Sequence, residues 1–286
     1  MIEVRELTHI YNRGTPWEIK ALDGISFRVE RGECVGIVGE SGCGKSTLAQ
    51  HLAGILPPAF GSVFIDGFDI YTARRGGDPG KEVALIFQSP DDQLFEESVF
   101  KEISFGLRGR RDLSRSEIEE RVKGVCRRLY PPLEELLDRS PFELGEGERA
   151  MVAIASVLIT EPKILILDEP LAGLDPENRK RILRQIEALR RREKTVVILS
   201  SHCEGLVHLL DRVIFLHEGM IVAQGRLQDI LALEGIDPRV TDLLPPLTRV
   251  LVHLREKGIE VNPALDTPSA VSEEIHRLLK KKAENP

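Results

Sequence analysis

A glycine-rich segment directly after a short apolar run most constrains how this chain folds. Residues 35–48 read VGIVGESGCGKSTL, the spacing of a strand, a phosphate-binding loop and a helix. The glycines let backbone N–H groups approach phosphate oxygens closely. Lys45 supplies a positive charge for the β- and γ-phosphates, and Ser46 a hydroxyl for Mg²⁺. The predicted nucleotide-binding residues are Gly39, Glu40, Ser41, Gly42, Cys43, Gly44, Lys45, Ser46 and Thr47.

A second motif adds an acidic pair at the end of an aliphatic strand. Residues 164–167 read ILIL and are followed by Asp168 and Glu169. The first carboxylate is placed to hold Mg²⁺, usually through water, and the second to polarise an attacking water molecule. An acidic pair at a strand end is weak evidence alone, but together with Lys45 and Ser46 it predicts hydrolysis of the bound nucleotide.

The order of apolar runs predicts an α/β fold. Continuous runs at 83–87, 164–167 and 195–199 are typical of strands buried on both faces. Runs at 2–7 and 25–29 predict a small antiparallel sheet before the phosphate-binding loop, with a turn at Asp23-Gly24. Residues 98–160 are helical in pattern, with a capping box at Ser114–Glu117. Residues 212–223 predict a terminal hairpin, and proline-punctuated helices follow from residue 226.

The charge balance and the apolar runs limit the partners of the chain. The 286 residues include 39 basic and 46 acidic side chains, with a net charge of -7, so a nucleic-acid partner is not expected. No apolar run approaches the ~20 residues of a membrane-spanning helix. A role in a membrane process therefore requires a partner in the membrane. The 4 cysteines lack metal-ligand spacing and are predicted to be reduced, small apolar fillers.

From residue 1 to about residue 225, the chain resembles the nucleotide-binding subunits of ATP-binding cassette (ABC) transporters. The resemblance is carried by the motifs above and by an aromatic residue, a glutamine, a turn and a histidine in the right order. It implies a P-loop NTPase with ATP and Mg²⁺ as ligands. It divides the ABC ATPase domain, 1–225, into a RecA-like core (1–88 and 161–225, including the antiparallel β subdomain) and a helical subdomain (89–160).

The same resemblance implies roles for single residues, each of which has an ordinary structural role as its alternative. Tyr11 would stack on adenine, or else be an exposed tyrosine in a turn. Gln88 would sense Mg²⁺ and link to a membrane partner. Glu169 would be the general base, His202 would contact the γ-phosphate, and Asp175 would reach across a dimer.

Within that family, two segments look like the ATPases of energy-coupling factor (ECF) importers of vitamins and metal ions. They are FQSPDDQLF at 87–95 and LVHLREKGI at 251–259. The likeness implies a second ATPase, a transmembrane scaffold and a substrate-binding membrane subunit as partners. It also implies peripheral attachment to the cytoplasmic face of the membrane, with the appendage at 226–286 helping two ATPases pair. Leu94-Phe95 and Val99-Phe100 are either part of a docking surface or simple core residues.

One motif departs from the family pattern. Two ABC subunits sandwich each ATP between the phosphate-binding loop of one and a Leu-Ser-Gly-Gly-Gln signature of the other, but here the signature is Leu144, Gly145, Glu146, Gly147 and Glu148. A carboxylate near the phosphates opposes their charge. We therefore predict a heterodimer in which this chain supplies the catalytic half of the competent site.

Three alternatives remain. The chain could form a homodimer in another ABC importer, such as one for cobalt or nickel, because backbone N–H groups do much of the binding at a helix start. It could instead be a regulatory module that binds ATP without significant hydrolysis. A third alternative is a DNA-maintenance ATPase of the same superfamily. Such proteins carry long coiled-coil insertions, and no sustained heptad tract is present in this sequence. The resemblance implies that another polypeptide chooses the transported substrate, so this sequence does not reveal it.

Overall fold

The computed structural model describes residues 1–72, 82–110, 112–233, 235–263, 265 and 268–284. These residues form ten strands and nine α-helices, which confirms the α/β class. The strands are β1 (Ile2–Tyr11), β2 (Ile19–Val29), β3 (Cys34–Val38), β4 (Phe60–Ile65), β5 (Phe68–Asp69), β6 (Val83–Ile86), β7 (Ile164–Asp168), β8 (Thr195–Ser200), β9 (Arg212–His217) and β10 (Met220–Gly225). The helices are α1 (Lys45–Leu52), α2 (Val99–Ser104), α3 (Arg115–Leu129), α4 (Glu146–Leu158), α5 (Pro176–Arg190), α6 (Leu227–Ala232), α7 (Pro238–Thr241), α8 (Pro246–Glu256) and α9 (Pro268–Glu284).

A six-stranded sheet in the order β10-β9-β3-β8-β7-β6 forms the centre of the molecule. Its strands from β9 to β6 are parallel, and β10 returns antiparallel to β9 in the predicted hairpin. Successive side chains of a strand point to opposite faces, so Ile166 and Leu199 pack in one buried cluster while Leu167 and Ile198 pack in another. The uninterrupted aliphatic runs are therefore explained by burial on both faces.

The two faces of this sheet are covered by different elements. On one face lie α1 and a four-stranded antiparallel sheet, β2-β1-β4-β5. Its strands β1 and β2 form the antiparallel pair predicted before the phosphate-binding loop, and β4 and β5 extend that pair from after α1. On the other lie α2, α3, α4 and α5, which share a buried cluster with β6, β7 and β8. Ser114 and Glu117 form the predicted capping box at the start of α3. The four cysteines are free and buried.

Two details of the strands differ from the sequence prediction. Val83, Ala84 and Leu85 in β6 are only half-buried, because β6 is the edge strand of the six-stranded sheet. Asp23-Gly24 lies inside β2 and not in a turn. The register of β2 against β1 shifts around this position. A β-bulge there takes up the additional residue of β2, so the strand continues through the dipeptide that was predicted to form a turn.

The segments after β10 pack onto the core. Ile230 and Leu244 share a buried cluster with Phe215 of β9, and a smaller cluster joins Leu251 of α8 to Val271 of α9. The division into a domain at 1–225 and an appendage at 226–286 stays a prediction. In the part of the chain that the structure describes, no helix combines the length and the apolar character needed to cross a membrane.

Candidate active site

Three loops meet at the carboxyl ends of neighbouring strands in the six-stranded sheet and bring the predicted catalytic groups together. β3, β8 and β7 are parallel neighbours, so their carboxyl ends lie side by side. The phosphate-binding loop follows β3, Glu169 follows β7, and Ser201 follows β8. The backbone N–H of Glu169 donates to the carbonyl of Leu199 at 2.8 Å, which ties the acidic pair to the end of β8.

The phosphate-binding loop wraps around the ammonium group of Lys45. Its Nζ donates to the carbonyl oxygens of Gly39 at 2.7 Å and Glu40 at 3.0 Å. The same nitrogen lies 3.5 Å from the Oε1 atom of Glu169, and only 6% of the lysine is exposed. The loop therefore holds a positive charge at a fixed position, beside the carboxylate predicted to be the general base.

Two glycines are required by the packing of this loop. A Cβ on Gly39 would lie 2.2 Å from the carbonyl oxygen of Leu216, and one on Gly44 would lie 2.4 Å from that of Ala21. Gly44 also has a φ of 105° and precedes α1, where no side chain of the described residues caps the helix. The first N–H groups of α1 are thus left for an anion, as a phosphate-binding loop requires.

We expect Gly39→Ala to lower both the free energy of unfolding and the affinity for nucleotide. The new methyl group meets the backbone of Leu216 and the buried Sγ atom of Cys43, so overpacking should destabilise the fold by about 1–3 kcal/mol. The displaced loop should weaken Mg·ADP binding at least about tenfold, since each tenfold step is only ~1.4 kcal/mol. Urea unfolding and calorimetric titration measure the two effects.

Gly124→Ala is the matched control for this substitution. Gly124 lies in α3 with open space around its Cα, so alanine should stabilise that helix by about 0.5–1 kcal/mol and leave binding unchanged. Wild-type stability and affinity in Gly39→Ala would contradict the assigned role of the loop packing.

The acidic pair is suited to hold Mg²⁺ and a reacting water. Asp168 is buried with 4% exposed, and its Oδ1 atom has no hydrogen-bond partner among the described residues. Burial raises the pKa of Asp168, the hydrogen bond with Ser46 opposes the rise, and the charge of Glu169 adds to it. An unpaired buried carboxylate oxygen beside a serine hydroxyl is an oxygen donor set that fits Mg²⁺.

Ser201 is a site residue that the sequence did not reveal. Its hydroxyl donates to the carboxylate of Glu169, and it lies 3.4 Å from Nζ of Lys45 as an acceptor. The backbone of Glu169 has a φ of 49°, an uncommon conformation for a side-chain-bearing residue. The only sequence signal was the position of Ser201 directly before His202 at the end of a buried strand.

These groups face a cavity of about 460 Å³. Its walls include nine of the predicted site residues, namely Tyr11, Ser41, Gly42, Gly44, Lys45, Ser46, Thr47, Gln88 and Glu169. The Tyr11 hydroxyl lies 3.1 Å from Oγ1 of Thr47, and 38% of the residue is exposed. In the described part of the chain, His202 is exposed and does not line this cavity. Stacking by Tyr11 and phosphate contact by His202 stay predictions.

The altered signature forms the start of α4. Gly145 and Glu146 are exposed, and the backbone N–H of Gly145 donates to the carboxylate of Glu148 at 3.1 Å. The Oε1 atom of Glu146 lies 3.0 Å from the position of a Cβ on Gly173. This helix start therefore carries two carboxylates. The carboxylate of Glu148 already accepts a hydrogen bond from the N–H group of Gly145, which would otherwise be available to an anion.

The other residues predicted at the dimer interface have roles within this chain. Leu144 is buried, and a Cβ on Gly147 would lie 3.0 Å from Nδ2 of Asn178. Asp175 caps α5 by accepting hydrogen bonds from the backbone N–H groups of Glu177 at 2.9 Å and Asn178 at 3.0 Å. Their contacts to a second subunit stay predictions.

Comparison with known proteins identifies the family. The family model described as ABC transporter matches residues 22–172, more than half of the chain. The chain belongs to the ABC transporter family. This ABC ATPase is 41% identical to the energy-coupling factor transporter ATP-binding protein EcfA2 of Acetivibrio thermocellus, over 98% of this chain and 99% of that protein. It is 39% identical to the EcfA2 protein of Clostridium acetobutylicum, over 97% of this chain and 98% of that protein.

Solved structures agree with this assignment. The ABC ATPase matches cbiO1 from Clostridium perfringens, described as part of the ABC transporter complex cbiONQ, with a TM-score of 0.69 and 36% identity over 89% of this chain and 98% of the other. A dimer of the ATP-binding cassette MJ0796 with ADP and phosphate matches with a TM-score of 0.71 and 25% identity over 79% of this chain and 99% of the other. The P-loop NTPase fold, the ATPase activity and the similarity to ECF ATPases are thus confirmed.

Proposed function

We propose that this ATPase powers an ECF-type importer of vitamins or metal ions as one half of a heterodimer. The heterodimer is proposed because of the residues at the start of α4. Glu146 and Glu148 occupy signature positions there, which the ATP bound by a partner would contact. Similarity to ECF ATPases along 98% of the chain, including residues beyond the common cassette, supports the ECF assignment.

The hydrolytic half-site of this chain contains the groups that the reaction needs. Lys45 and the first N–H groups of α1 would bind the phosphates, and Ser46 with Asp168 would hold Mg²⁺, which neutralises phosphate charge when bound. Glu169 would orient a water molecule and take its proton. Ser201 holds that carboxylate by a hydrogen bond, so a side chain of this protein would orient the general base.

The signature half of this chain is suited poorly to the same task. Phosphate and carboxylate are both anions, and their repulsion grows where a closing dimer excludes water. A homodimer would place Glu146 at both of its ATP sites. A partner ATPase with Ser and Gly at these positions would instead complete the site formed by Lys45 and Glu169. The two sites of such a heterodimer would differ in activity.

Attachment to a membrane scaffold at the cytoplasmic face is part of the same proposal. Four residues were predicted either to form a docking surface or to pack in the core. Of these, Leu94 and Val99 are buried in the core. Phe95 is 58% exposed and contacts Phe105, 43% exposed, with ring centroids 4.7 Å apart. This exposed aromatic pair in the helical subdomain supports docking there. The appendage at 226–286 would help the two ATPases pair.

The ATPase rate of the purified chain tests the heterodimer. We expect the chain alone to hydrolyse Mg·ATP at less than about a tenth of the rate of the complex isolated from membranes, because repulsion of more than ~1.4 kcal/mol costs a factor of ten. The copurified proteins identify the second ATPase and the membrane subunits. A homodimer that matches the rate of the complex would contradict the heterodimer and favour the homodimeric alternative.

A further inference from the structure

Two buried histidines lie between β1 and α1, outside the cavity described above. His51 is fully buried and His9 is 9% exposed. Nε2 of His51 lies 2.9 Å from Nδ1 of His9, so the two rings share one hydrogen bond. Burying two imidazoles costs free energy that an apolar pair would not cost. A directional contact at this position therefore calls for a reason other than filling space.

The histidine pair is joined to the nucleotide site by a second contact. The rings of His9 and Tyr11 meet edge to face, with centroids 4.3 Å apart. The Tyr11 hydroxyl lies 3.1 Å from Oγ1 of Thr47. His9 and Tyr11 are two residues apart on β1, and Thr47 and His51 are one turn apart on α1. Strand and helix are thus connected by two parallel contacts, Tyr11 with Thr47 and His9 with His51.

A third side chain fixes the protons of the pair. The Tyr71 hydroxyl donates to the carbonyl oxygen of His51 at 2.8 Å and lies 3.1 Å from Nδ1 of the same histidine. The phenolic oxygen therefore accepts from Nδ1, which leaves Nε2 of His51 as an acceptor for the Nδ1 proton of His9. Burial lowers the pKa of His51 to about 4 and also lowers that of His9, in agreement with two neutral rings.

We propose that the His9–His51 pair positions Tyr11 relative to the phosphate-binding loop and thereby sets the affinity of the site for nucleotides that carry a base. This inference rests on the proposed role of Tyr11 as the adenine platform. The phosphates contact α1 and its loop, whereas the base would contact β1. Their relative position depends on the contacts between these two elements, and a hydrogen bond between rings fixes it more narrowly than apolar packing.

The experiment compares Mg·ADP with Mg·pyrophosphate, which has no base or sugar, in calorimetric titrations of the full chain. We expect His9→Leu to weaken ADP binding about tenfold, because stacking of a base on an aromatic ring contributes about 1–3 kcal/mol and a factor of ten is ~1.4 kcal/mol. Pyrophosphate has no base, so its affinity should change less than about twofold. His9→Asn, whose amide can replace Nδ1, should restore most of the ADP affinity. His51→Leu breaks the same hydrogen bond from the helix and should repeat the selective loss.

Two further variants separate positioning from stability. Val4→Ala opens a cavity in the same strand without touching either contact, so it should lower the unfolding temperature and leave both affinities unchanged. Tyr11→Ala should show the selective ADP loss directly. Unchanged ADP affinity in the folded His9→Leu and His51→Leu variants, or a parallel loss of ADP and pyrophosphate, would overturn the inference. Failure of the wild type to bind Mg·ADP would instead contradict the proposed nucleotide site.

Discussion

Replacing Glu169 with Gln will abolish ATP turnover and leave binding of Mg·ATP intact. The amide keeps the size of the side chain and can still accept a hydrogen bond from Ser201. It cannot take a proton from the attacking water, and loss of a general base costs on the order of 10²- to 10⁴-fold in rate. Single-turnover ATPase assays of the assembled complex measure the chemical step, and filter binding measures the retained nucleotide.

Glu120→Gln makes the same chemical change at an exposed position of α3 and should keep the wild-type rate. A Glu169→Gln complex that hydrolyses and transports normally would show that another group is the base. If transport persisted while hydrolysis was lost, the chain would be the regulatory module that binds ATP without hydrolysing it.

Restoring the family signature will convert the isolated chain into an active homodimer. The variant combines Gly145→Ser, Glu146→Gly and Glu148→Gln, and removes both carboxylates from the start of α4. The new serine can also cap the helix, so folding should be preserved. We expect the ATPase rate of the purified chain to rise at least about tenfold, which corresponds to ~1.4 kcal/mol of relieved repulsion. The rate should also depend on protein concentration, as for a dimer.

The control removes a neighbouring carboxylate outside the signature. Glu143→Gln changes an exposed residue just before Leu144 and should leave the low rate unchanged. Analytical ultracentrifugation with Mg·ATP, in the Glu169→Gln background, shows whether the restored signature also closes the dimer. A restored chain that stays monomeric and inactive would mean that Glu146 and Glu148 are not what prevents homodimer activity.

Much of the active site was predicted from local sequence. The glycines at 39, 42 and 44, followed directly by Lys45 and Ser46, have the spacing of a phosphate-binding loop that opens a helix. The aliphatic run before Asp168 identified a buried strand ending in two carboxylates. Both patterns are contiguous, so periodicity and composition were sufficient to recognise them.

Other features depend on elements that are distant in sequence. Ser201 contacts Glu169 because β8 lies between β3 and β7, and strand order arises from crossover connections that periodicity does not encode. β6 was predicted to be buried on both faces, but its place at the sheet edge leaves it half-buried. His9 and His51 meet across 42 residues of chain, and neither belonged to a recognisable motif.

The sequence by itself determined the ligand and the chemistry, because a phosphate-binding loop and a strand-end acidic pair are short segments whose backbone and charge specify what they bind. The tertiary structure alone decided which groups hold those segments in place, since these contacts depend on the strand order and on how β1 packs against α1. It also decided that Gly145 and Glu146 of the altered signature are exposed at the start of α4. This exposure leaves the Glu146 carboxylate where the proposed heterodimer would place the ATP of its partner, whereas the half-buried Glu148 accepts a hydrogen bond within the helix start.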